Sequence, residues 1–351
     1  MSFPSDAIDN VDLKALLAGG LVNEDVLQRI IRLSEVTTPF QDMVPTDVCN
    51  QDYTEWVQDD LGSPSLTKVR ISGSDAAAYE VATGSRVGNR TQINARTVAV
   101  SERAQNSSTV GRANEMAYQT MLAIQRVRQD VEAHAISNQA SVIDDNNTTA
   151  GKAGGLSAWI VSATSIGATG ANGGFNTGSK LVVAPTFGTA RALSYAFITG
   201  LITTIYNNFG NPTVLMTVPT LVAGLNTFLN SATSAQANRA APVANITGDG
   251  GKVNQTAQGY FQVIVTAFGT ALTITPNRMQ QLYNSSTACD VLLIDTGRAA
   301  MMMLDGYRVK PLAKQGLSDR ADVTVDWSLR VDNEKAFGVV RDILPGSAVT
   351  A

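Results

Sequence analysis

The sequence predicts an α+β fold, and three patterns along its 351 residues predict it. Residues 112–141 place apolar side chains at helical spacing, with no Gly or Pro among them. Residues 185–295 alternate between helical and strand patterns, and residues 307–343 return to the two-residue period of strands. We therefore expect one long helix, a mixed helix–strand segment and a closing strand hairpin.

The first predicted element is an N-terminal arm over residues 1–45. Helical patterns cover residues 12–18 and 23–33, and Pro39 then ends the regular structure.

Residues 46–100 follow as strands joined by a long loop. The alternation of Tyr53 to Gln58 and the Val, Thr and Ile of residues 91–101 predict two strands of one hairpin, because the Gly-rich residues 62–88 between them contain few core-sized side chains. The tip of that hairpin is expected to project from the body.

The long helix is the next element, and its last turns contain His134. Arg126 with Asp130, and Arg128 with Glu132, are predicted as ion pairs on its polar side because they stand four residues apart. For His134, helix packing or solvent exposure is favoured over a role as general base, since no second histidine accompanies it. The predicted apolar stripe comprises Met116, Met121, Ile124, Val127, Val131 and Ala135.

The remaining elements form a mixed segment and a C-terminal hairpin. The Gly-rich loop of residues 144–178 is anchored by Trp159 and Ile160, and residues 231–258 are expected to be a flexible polar stretch. Helices are predicted from Pro185 to Gly210 and over 219–229, central strands over 214–218, 261–268, 272–275 and 290–295, and C-terminal strands over 307–312, 323–331 and 337–343.

Composition excludes several classes of function. Only 16% of the residues are charged, against about 25% in an ordinary soluble domain. The formal net charge of −4 excludes a strongly basic protein that binds nucleic acid by displacing counterions. The single histidine and the two cysteines, Cys49 and Cys289, cannot assemble a zinc cluster and leave little for acid–base catalysis. We predict no catalytic residue, no cofactor, no metal site and no enzyme.

Phosphate-loop and calcium-loop patterns also fail. Gly248, Gly250, Gly251 and Lys252 suggest a phosphate loop, but Ile246 and Val253 occupy positions where the motif needs Gly and Ser or Thr. The acid pairs Asp59–Asp60 and Asp144–Asp145 lack further ligands at calcium-loop spacing. Both features are interpreted as solvated turns.

Sequence features that report on the compartment point to the cytoplasm at synthesis. The two cysteines lie far apart without a CxxC motif, which is typical of buried thiols in a reducing compartment. The N-terminal residues MSFPSDAIDN lack the basic segment of a signal peptide. The most apolar region, residues 181–206, is interrupted by Pro185 and Arg191, so no membrane segment is predicted.

The distribution of charge predicts a surface that other chains bury. Between Asp145 and Asp249 there is no acidic residue, and Ala, Gly, Thr, Ser and Asn fill the segment. A monomer normally stays soluble through interspersed charges, so a long neutral surface favours assembly. Arginine outnumbers lysine by 18 to 8, as is typical of interfaces. A low-charge cytoplasmic enzyme with a neutral surface fits the composition equally well.

Six phrases carry a resemblance to a known family: TPFQDMVP (38–45), YTEWVQDDL (53–61), RTQINARTVAVSERA (90–104), GRANEMAYQ (111–119), AGGLSAWI (153–160) and SLRVDNEKAFGVVRDI (328–343). With the order of elements, they resemble the major capsid protein of tailed bacteriophages, which has the Hong Kong ninety-seven type fold. The likeness is greatest to capsid proteins of short-tailed phages. None of the phrases is a catalytic signature.

The resemblance implies a division of the chain and a function. The function is a major capsid protein that self-assembles into an icosahedral or elongated shell around phage double-stranded DNA. An encapsulin-like compartment shell remains the alternative, and a cytoplasmic enzyme the distant one. The implied parts are an N-terminal arm (1–45), an extended loop with flanking strands (46–110), the spine helix of a peripheral domain (111–145), a Gly-rich loop (146–180), an axial domain (181–305) and a C-terminal hairpin of the peripheral domain (306–351).

The resemblance also implies partners. Copies of the chain would form hexameric and pentameric capsomers in a virion capsid assembled in the host cytoplasm, with no membrane. A separate scaffolding protein, a portal and a decoration protein are further expected partners, and DNA would be contained without sequence-specific binding. Some members cross-link a loop lysine to an asparagine of the peripheral domain. Lys68 and Asn333 occupy roughly those regions, with Glu55 or Glu80 as a base, but exposed lysines are common and the positions alone do not predict the bond.

Overall fold

The computed structural model describes residues 36–59, 66–75, 84–107, 114–229, 245–247, 253–256, 263–266, 268–280, 282–283 and 287–350. The predicted arm helices and Gly248 to Lys252 lie outside these residues. The helices are α1 (Pro39–Met43), α2 (Glu102–Asn106), α3 (Glu115–Ala135), α4 (Leu156–Trp159), α5 (Tyr195–Asn207) and α6 (Pro219–Leu229). The strands are β1 (Thr46–Val48), β2 (Tyr53–Gln58), β3 (Ser85–Arg90), β4 (Gln92–Ser101), β5 (Thr164–Ser165), β6 (Gly174–Asn176), β7 (Leu181–Val183), β8 (Val214–Thr217), β9 (Asn245–Thr247), β10 (Val253–Thr256), β11 (Val263–Val265), β12 (Ala271–Pro276), β13 (Cys289–Ile294), β14 (Ala299–Leu312), β15 (Ser318–Val331) and β16 (Gly338–Ile343).

A four-stranded sheet and the long helix form the first core. The strand order is β1-β14-β15-β4, with β14 and β15 joined as a long antiparallel hairpin. Side chains of β15 alternate between buried and half-buried positions, and its buried face meets α3. The core between them contains Val127, Val131, Val323, Val325, Trp327 and Leu329. The predicted helix and C-terminal hairpin are both present here.

The second core lies on a six-stranded sheet of order β11-β12-β8-β13-β16-β5. Helices α5 and α6 supply Ile198, Ile205, Leu221 and Leu225, which are buried against its strands. Its central strands β8 and β13 are buried along their whole length, which explains why their sequences are mostly apolar. The predicted alternation of helices and strands over residues 185–295 is confirmed.

Two predicted pairings and one predicted flexible stretch need correction. Strand β2 pairs with β3, which lies in the segment predicted as a loop, while residues 92–101 pair with β15 instead. Strand β16 does not extend the C-terminal hairpin but pairs with β13 in the six-stranded sheet. The polar stretch 231–258 contains β9 and β10, which form an antiparallel pair. In each case the strand's partner is distant in sequence or its residues are polar, and local periodicity does not report such pairing.

The long helix is shorter than predicted, and its polar side makes different ion pairs. Helix α3 begins after Asn114, whose side chain accepts a hydrogen bond from Ala117 N, and ends at Ala135. Asp130 pairs with Arg96 of β4 at 2.8 Å instead of Arg126, and Arg128 pairs with Asp42 of α1. Glu132, predicted on the polar side, is fully buried.

Candidate intersubunit surface

The hairpin of β2 and β3 leads to an exposed apolar tip. Strand β2 is antiparallel to β3 from Tyr53–Arg90 to Gln58–Ser85. Beyond Gln58, the described part of the connecting segment is residues 66–75. Leu66, Val69 and Ile71 in this segment are 96%, 84% and 83% exposed. The tip segment, as we name residues 66–75, therefore presents large apolar side chains to solvent as a group, which soluble monomers rarely do.

Aromatic contacts hold the base of the hairpin against the body. Trp56 Nε1 donates to Val331 O at 3.1 Å, and its ring lies 5.5 Å from that of Trp159. Trp159 in turn stacks on Phe175 with ring centroids 5.7 Å apart. Gln58 Nε2 adds a hydrogen bond to Asp332 O at 2.8 Å. Trp159, which the sequence predicts as an apolar anchor, is thus the residue on which the base of the hairpin packs.

A buried amide also fixes this base. Asn89 Nδ2 donates to Leu329 O at 2.8 Å and Gly154 O at 3.1 Å, while its Oδ1 accepts from Gly154 N at 2.8 Å. Gly154 must be glycine, because a Cβ there would lie 2.7 Å from Val182. One side chain therefore ties β3 to β15 and to the Gly-rich loop.

Replacing Asn89 by alanine is expected to lower the free energy of unfolding by about 2 kcal/mol, since four backbone groups, including Arg90 N, lose their hydrogen bond to its side chain. Urea denaturation of the unassembled chain measures this. Asn172→Ala is the matched control, because that exposed amide also donates to a backbone carbonyl, Val161 O at 3.1 Å. A loss at Asn89 no greater than at Asn172 would show that the clamp does not hold the hairpin.

Charged residues at the hairpin base are paired within the chain. Glu55 lies 3.3 Å from Arg86 and 3.4 Å from Lys180. Arg90 lies over the Tyr53 ring at 4.4 Å, in a cation–π contact, and 3.4 Å from Asp52. These exposed pairs orient the hairpin but contribute little to stability.

A buried glutamate of α3 joins this helix to α1 and to the residue that follows β12. The Glu132 carboxylate accepts from Phe40 N at 2.8 Å and Gln41 N at 3.0 Å, the free amides at the start of α1. It also accepts from Asn277 Nδ2 at 2.7 Å, beyond the six-stranded sheet. Burial raises the pKa of Glu132, although these hydrogen bonds favour the ionised form.

A second buried polar cluster lies between α4 and the six-stranded sheet. Arg341 Nη1 lies 3.7 Å from Asp290 Oδ2, and both side chains are at most 4% exposed. Arg341 Nη1 also donates to Ser157 Oγ at 2.8 Å, and Ser157 Oγ donates to Asp290 Oδ2 at 2.6 Å. The Tyr283 hydroxyl donates to Asp290 Oδ1. Burial raises the pKa of Asp290, while the nearby Arg341 favours its ionised form.

The residues singled out from the sequence have structural partners. His134 Nδ1 is 2.7 Å from Asp130 O, in keeping with helix packing. Cys49 and Cys289 are free and buried, as predicted. Asp145 accepts hydrogen bonds from the backbone of Asn147, Thr148 and Thr149, which lowers its pKa and closes a turn.

Lys68 and Asn333 have different environments. Lys68 is exposed in the tip segment. The Asn333 side chain caps a short 3-10 helix by accepting from Lys335 N at 3.0 Å. Glu55 is held by its two cations at the base of the hairpin, and Glu80 lies outside the described residues.

The described residues contain neither a cluster suited to a metal ion nor a membrane-spanning helix. In that part of the chain, no three His, Cys, Asp or Glu side chains are arranged to hold a metal ion. Among its helices, none has the length and apolar character needed to span a membrane.

A profile of the SU10 major capsid protein matches residues 8–344. The chain belongs to the SU10 major capsid protein family. The major capsid protein of Escherichia phage Phieco32 is 32% identical over 108 residues, which are 31% of this chain and 31% of that relative, so the chain matches under a third of the relative's length. The family resemblance identified from the sequence is confirmed.

Solved structures agree on the fold. The capsid of Myoviridae phage XM1 matches with a TM-score of 0.56 and 13% identity over 92% of this chain and 99% of that one. An encapsulin of Synechococcus elongatus PCC 7942 matches with a TM-score of 0.54 and 12% identity over 98% of this chain and 99% of that one. At such identities the likeness shows a shared fold alone. The match to the encapsulin therefore does not indicate a shared function.

Sequence reasoning missed both buried polar clusters. Asp290 and Arg341 interrupt the apolar phrases CDVLLI and FGVVRDI, and a charge inside a buried strand is a signal that a partner exists. Glu132 carries a weaker signal, since it adjoins the apolar stripe of α3 at Val131. Neither signal identifies the partner.

Proposed function

We propose that this major capsid protein builds an icosahedral or elongated head around double-stranded DNA, with the β2–β3 hairpin and tip segment of each copy lying over a neighbouring copy. The exposure of Leu66, Val69 and Ile71 carries the proposal. Covering one such side chain is worth about 1.5–3 kcal/mol, so three of them supply an appreciable contact. A lattice of many such moderate contacts can correct errors while it forms.

This arrangement also suggests a role for each part of the chain. We assign residues 1–45 to an arm, 46–110 to the extended loop and its flanking strands, and 181–305 to the axial domain. The spine helix (111–145) and the C-terminal hairpin (306–351) form the peripheral domain, with the Gly-rich loop (146–180) as the support of the hairpin base. Trp56 of β2 supports this assignment, because its contacts with Trp159 and Val331 fix the base of the extended loop on the body.

Further partners belong to the same proposal. Capsomers of six and five copies would assemble in the host cytoplasm with a separate scaffolding protein, a portal and a decoration protein. The net charge of −4 suits a wall that contains DNA without gripping its phosphates.

We also propose that the chain performs no catalysis and forms no Lys68–Asn333 cross-link. Asn333 uses its side-chain oxygen as a helix cap, and the Glu55 carboxylate is paired with Arg86 and Lys180. The buried acids Asp290 and Glu132 are engaged in holding elements together.

Replacing Leu66, Val69 and Ile71 together by serine is expected to abolish shells and leave the subunit fold intact. The three side chains are exposed, so the thermal midpoint of the unassembled chain should stay unchanged, because surface changes alter stability by about 0.5 kcal/mol or less. Electron microscopy and sedimentation velocity over a concentration series measure assembly. Ser72→Ala, in the same exposed segment, is the matched control and should assemble as the wild type does.

Two results would contradict the proposal. Wild-type protein that stays monomeric at every concentration would refute self-assembly itself. Normal shells from the triple-serine variant would refute the role of the tip segment.

A further inference from the structure

An exposed aromatic patch lies at the end of the six-stranded sheet. Tyr206, in the last turn of α5, stacks on Phe268 in the turn between β11 and β12, with ring centroids 4.3 Å apart and planes within 1°. Phe209 follows, and its N donates to Tyr206 O at 3.1 Å. The exposed fractions of Tyr206, Phe268 and Phe209 are 50%, 39% and 90%. These three residues are the aromatic patch.

Phe209 is held in an unfavourable backbone conformation. Its φ of 61° lies in the left-handed region, which Gly or Asn adopts more readily than an aromatic residue. The next residue fixes this turn, because Gly210 N donates to Ile205 O and a Cβ at Gly210 would lie 2.7 Å from Ala336. The backbone therefore requires the strained conformation, whereas the phenylalanine ring is 90% exposed and gains little from the described part of the subunit. A strained residue without packing contacts of its own points to a contact outside the subunit.

The helix that carries Tyr206 is uncharged. Helices α5 and α6 contain no Asp, Glu, Lys or Arg, although Glu334 and Lys335 precede Ala336, which lies against Gly210. Because these two charges are opposite, nucleic acid or a strongly charged protein would lose hydration here without finding a net counter-charge. An uncharged partner avoids that loss, and this chain itself offers such a surface, since it has no acidic residue between Asp145 and Asp249.

The adjoining edge of the sheet is also suited to association. Among the described strands, β11 pairs with β12 alone and ends the sheet. It consists of Val263, Ile264 and Val265, and Val265 is 64% exposed. Edge strands that must stay solitary are usually protected by charges or proline, which β11 lacks.

We propose that the aromatic patch packs against a second copy of this chain, with Phe209 as the side chain that the neighbouring copy covers. The proposal rests on the shell function proposed above and adds a contact separate from the tip segment. Under this proposal, the strained backbone of Phe209 destabilises the free subunit, and its covered ring stabilises the assembly.

Phe209→Gly in the full chain tests this, because it should stabilise the free subunit and weaken assembly. The thermal midpoint of unassembled protein should rise, because glycine relieves the strained φ. The concentration for half-assembly should also rise, by about tenfold or more, as for loss of an aromatic hot spot. Thr169→Gly is the matched control, since Thr169 is exposed with a φ of 70°. It should raise the midpoint without changing assembly.

A second variant, Phe268→Ser, removes a ring from the patch without touching the strained turn, and it should also weaken assembly. Wild-type protein that fails to assemble refutes the shell function. If wild type assembles and Phe209→Gly assembles equally well, only the patch proposal is overturned, and a different virion protein becomes its occupant. If Phe209→Gly lowers both the midpoint and assembly, the ring belongs to the subunit fold and the proposal is likewise overturned.

Discussion

Replacing Arg341 by methionine is expected to lower the free energy of unfolding by about 3–5 kcal/mol, because it leaves Asp290 buried without its cation. The guanidinium also donates to Asn138 Oδ1 at 3.0 Å and to Ile160 O at 3.3 Å. Both groups would lose a partner. Urea denaturation of the unassembled chain measures the loss.

Two variants make the Arg341 experiment decisive. Arg330→Met is the matched control, because Arg330 forms ion pairs with Asp47 and Asp332 but is 28% exposed, so about 1 kcal/mol or less should be lost. The double variant Asp290→Asn with Arg341→Met should recover part of the stability, since it removes the uncompensated charge. Equal losses at Arg341 and Arg330 would show that the buried pair does not stabilise the fold.

The buried pair illustrates what sequence patterns can and cannot predict. The apolar character of β13 and β16 predicts both strands, and both were found. Their adjacency was not predicted, because Asp290 and Arg341 are separated by a complete hairpin that belongs to the other sheet. Periodicity reports the environment of a strand, whereas pairing depends on contacts that are distant in sequence.

The hairpin base shows the same limit at shorter range. Residues 85–90 contain Arg86, Gly88 and Asn89 and have the composition of a loop. They form a strand because Gly88 leaves room for the Tyr53 ring, which a Cβ would approach to 2.7 Å, and because Asn89 is satisfied by the body. The exposed tip was predicted from residues that cannot build a core, and Trp159 was predicted as an anchor of the Gly-rich loop. The contact of Trp159 with the hairpin was not predicted. The aromatic patch was not predicted, since exposure and positive φ leave no periodic signal.

Replacing Glu132 by leucine is expected to cost about 3–5 kcal/mol, because Phe40 N, Gln41 N and Asn277 Nδ2 would be left buried without an acceptor. The start of α1 should detach first, because its Phe40 and Gln41 amides lose the carboxylate that accepts their hydrogen bonds. Urea denaturation gives the total loss, and hydrogen exchange at Phe40 and Gln41 locates it. Unchanged exchange at these amides would show that Glu132 does not hold α1.

The contribution of Glu132 should also depend on pH in a defined direction. Burial raises its pKa in the folded protein above the ordinary value of 4.5, so the folded state holds the proton more tightly than the unfolded state. The stabilisation is therefore complete below about pH 4.5 and declines as the pH rises through the raised value. Tyr307 on β14 lies near this carboxylate, and burial raises the pKa of its hydroxyl to about 12, so it keeps its proton in the acidic range. Glu132→Gln keeps the size of the side chain and cannot titrate, so the difference in unfolding free energy between wild type and this variant should fall with rising pH. A difference that grows with pH would mean that the hydrogen bonds outweigh burial and that Glu132 acts as a stabilising anion in the folded subunit.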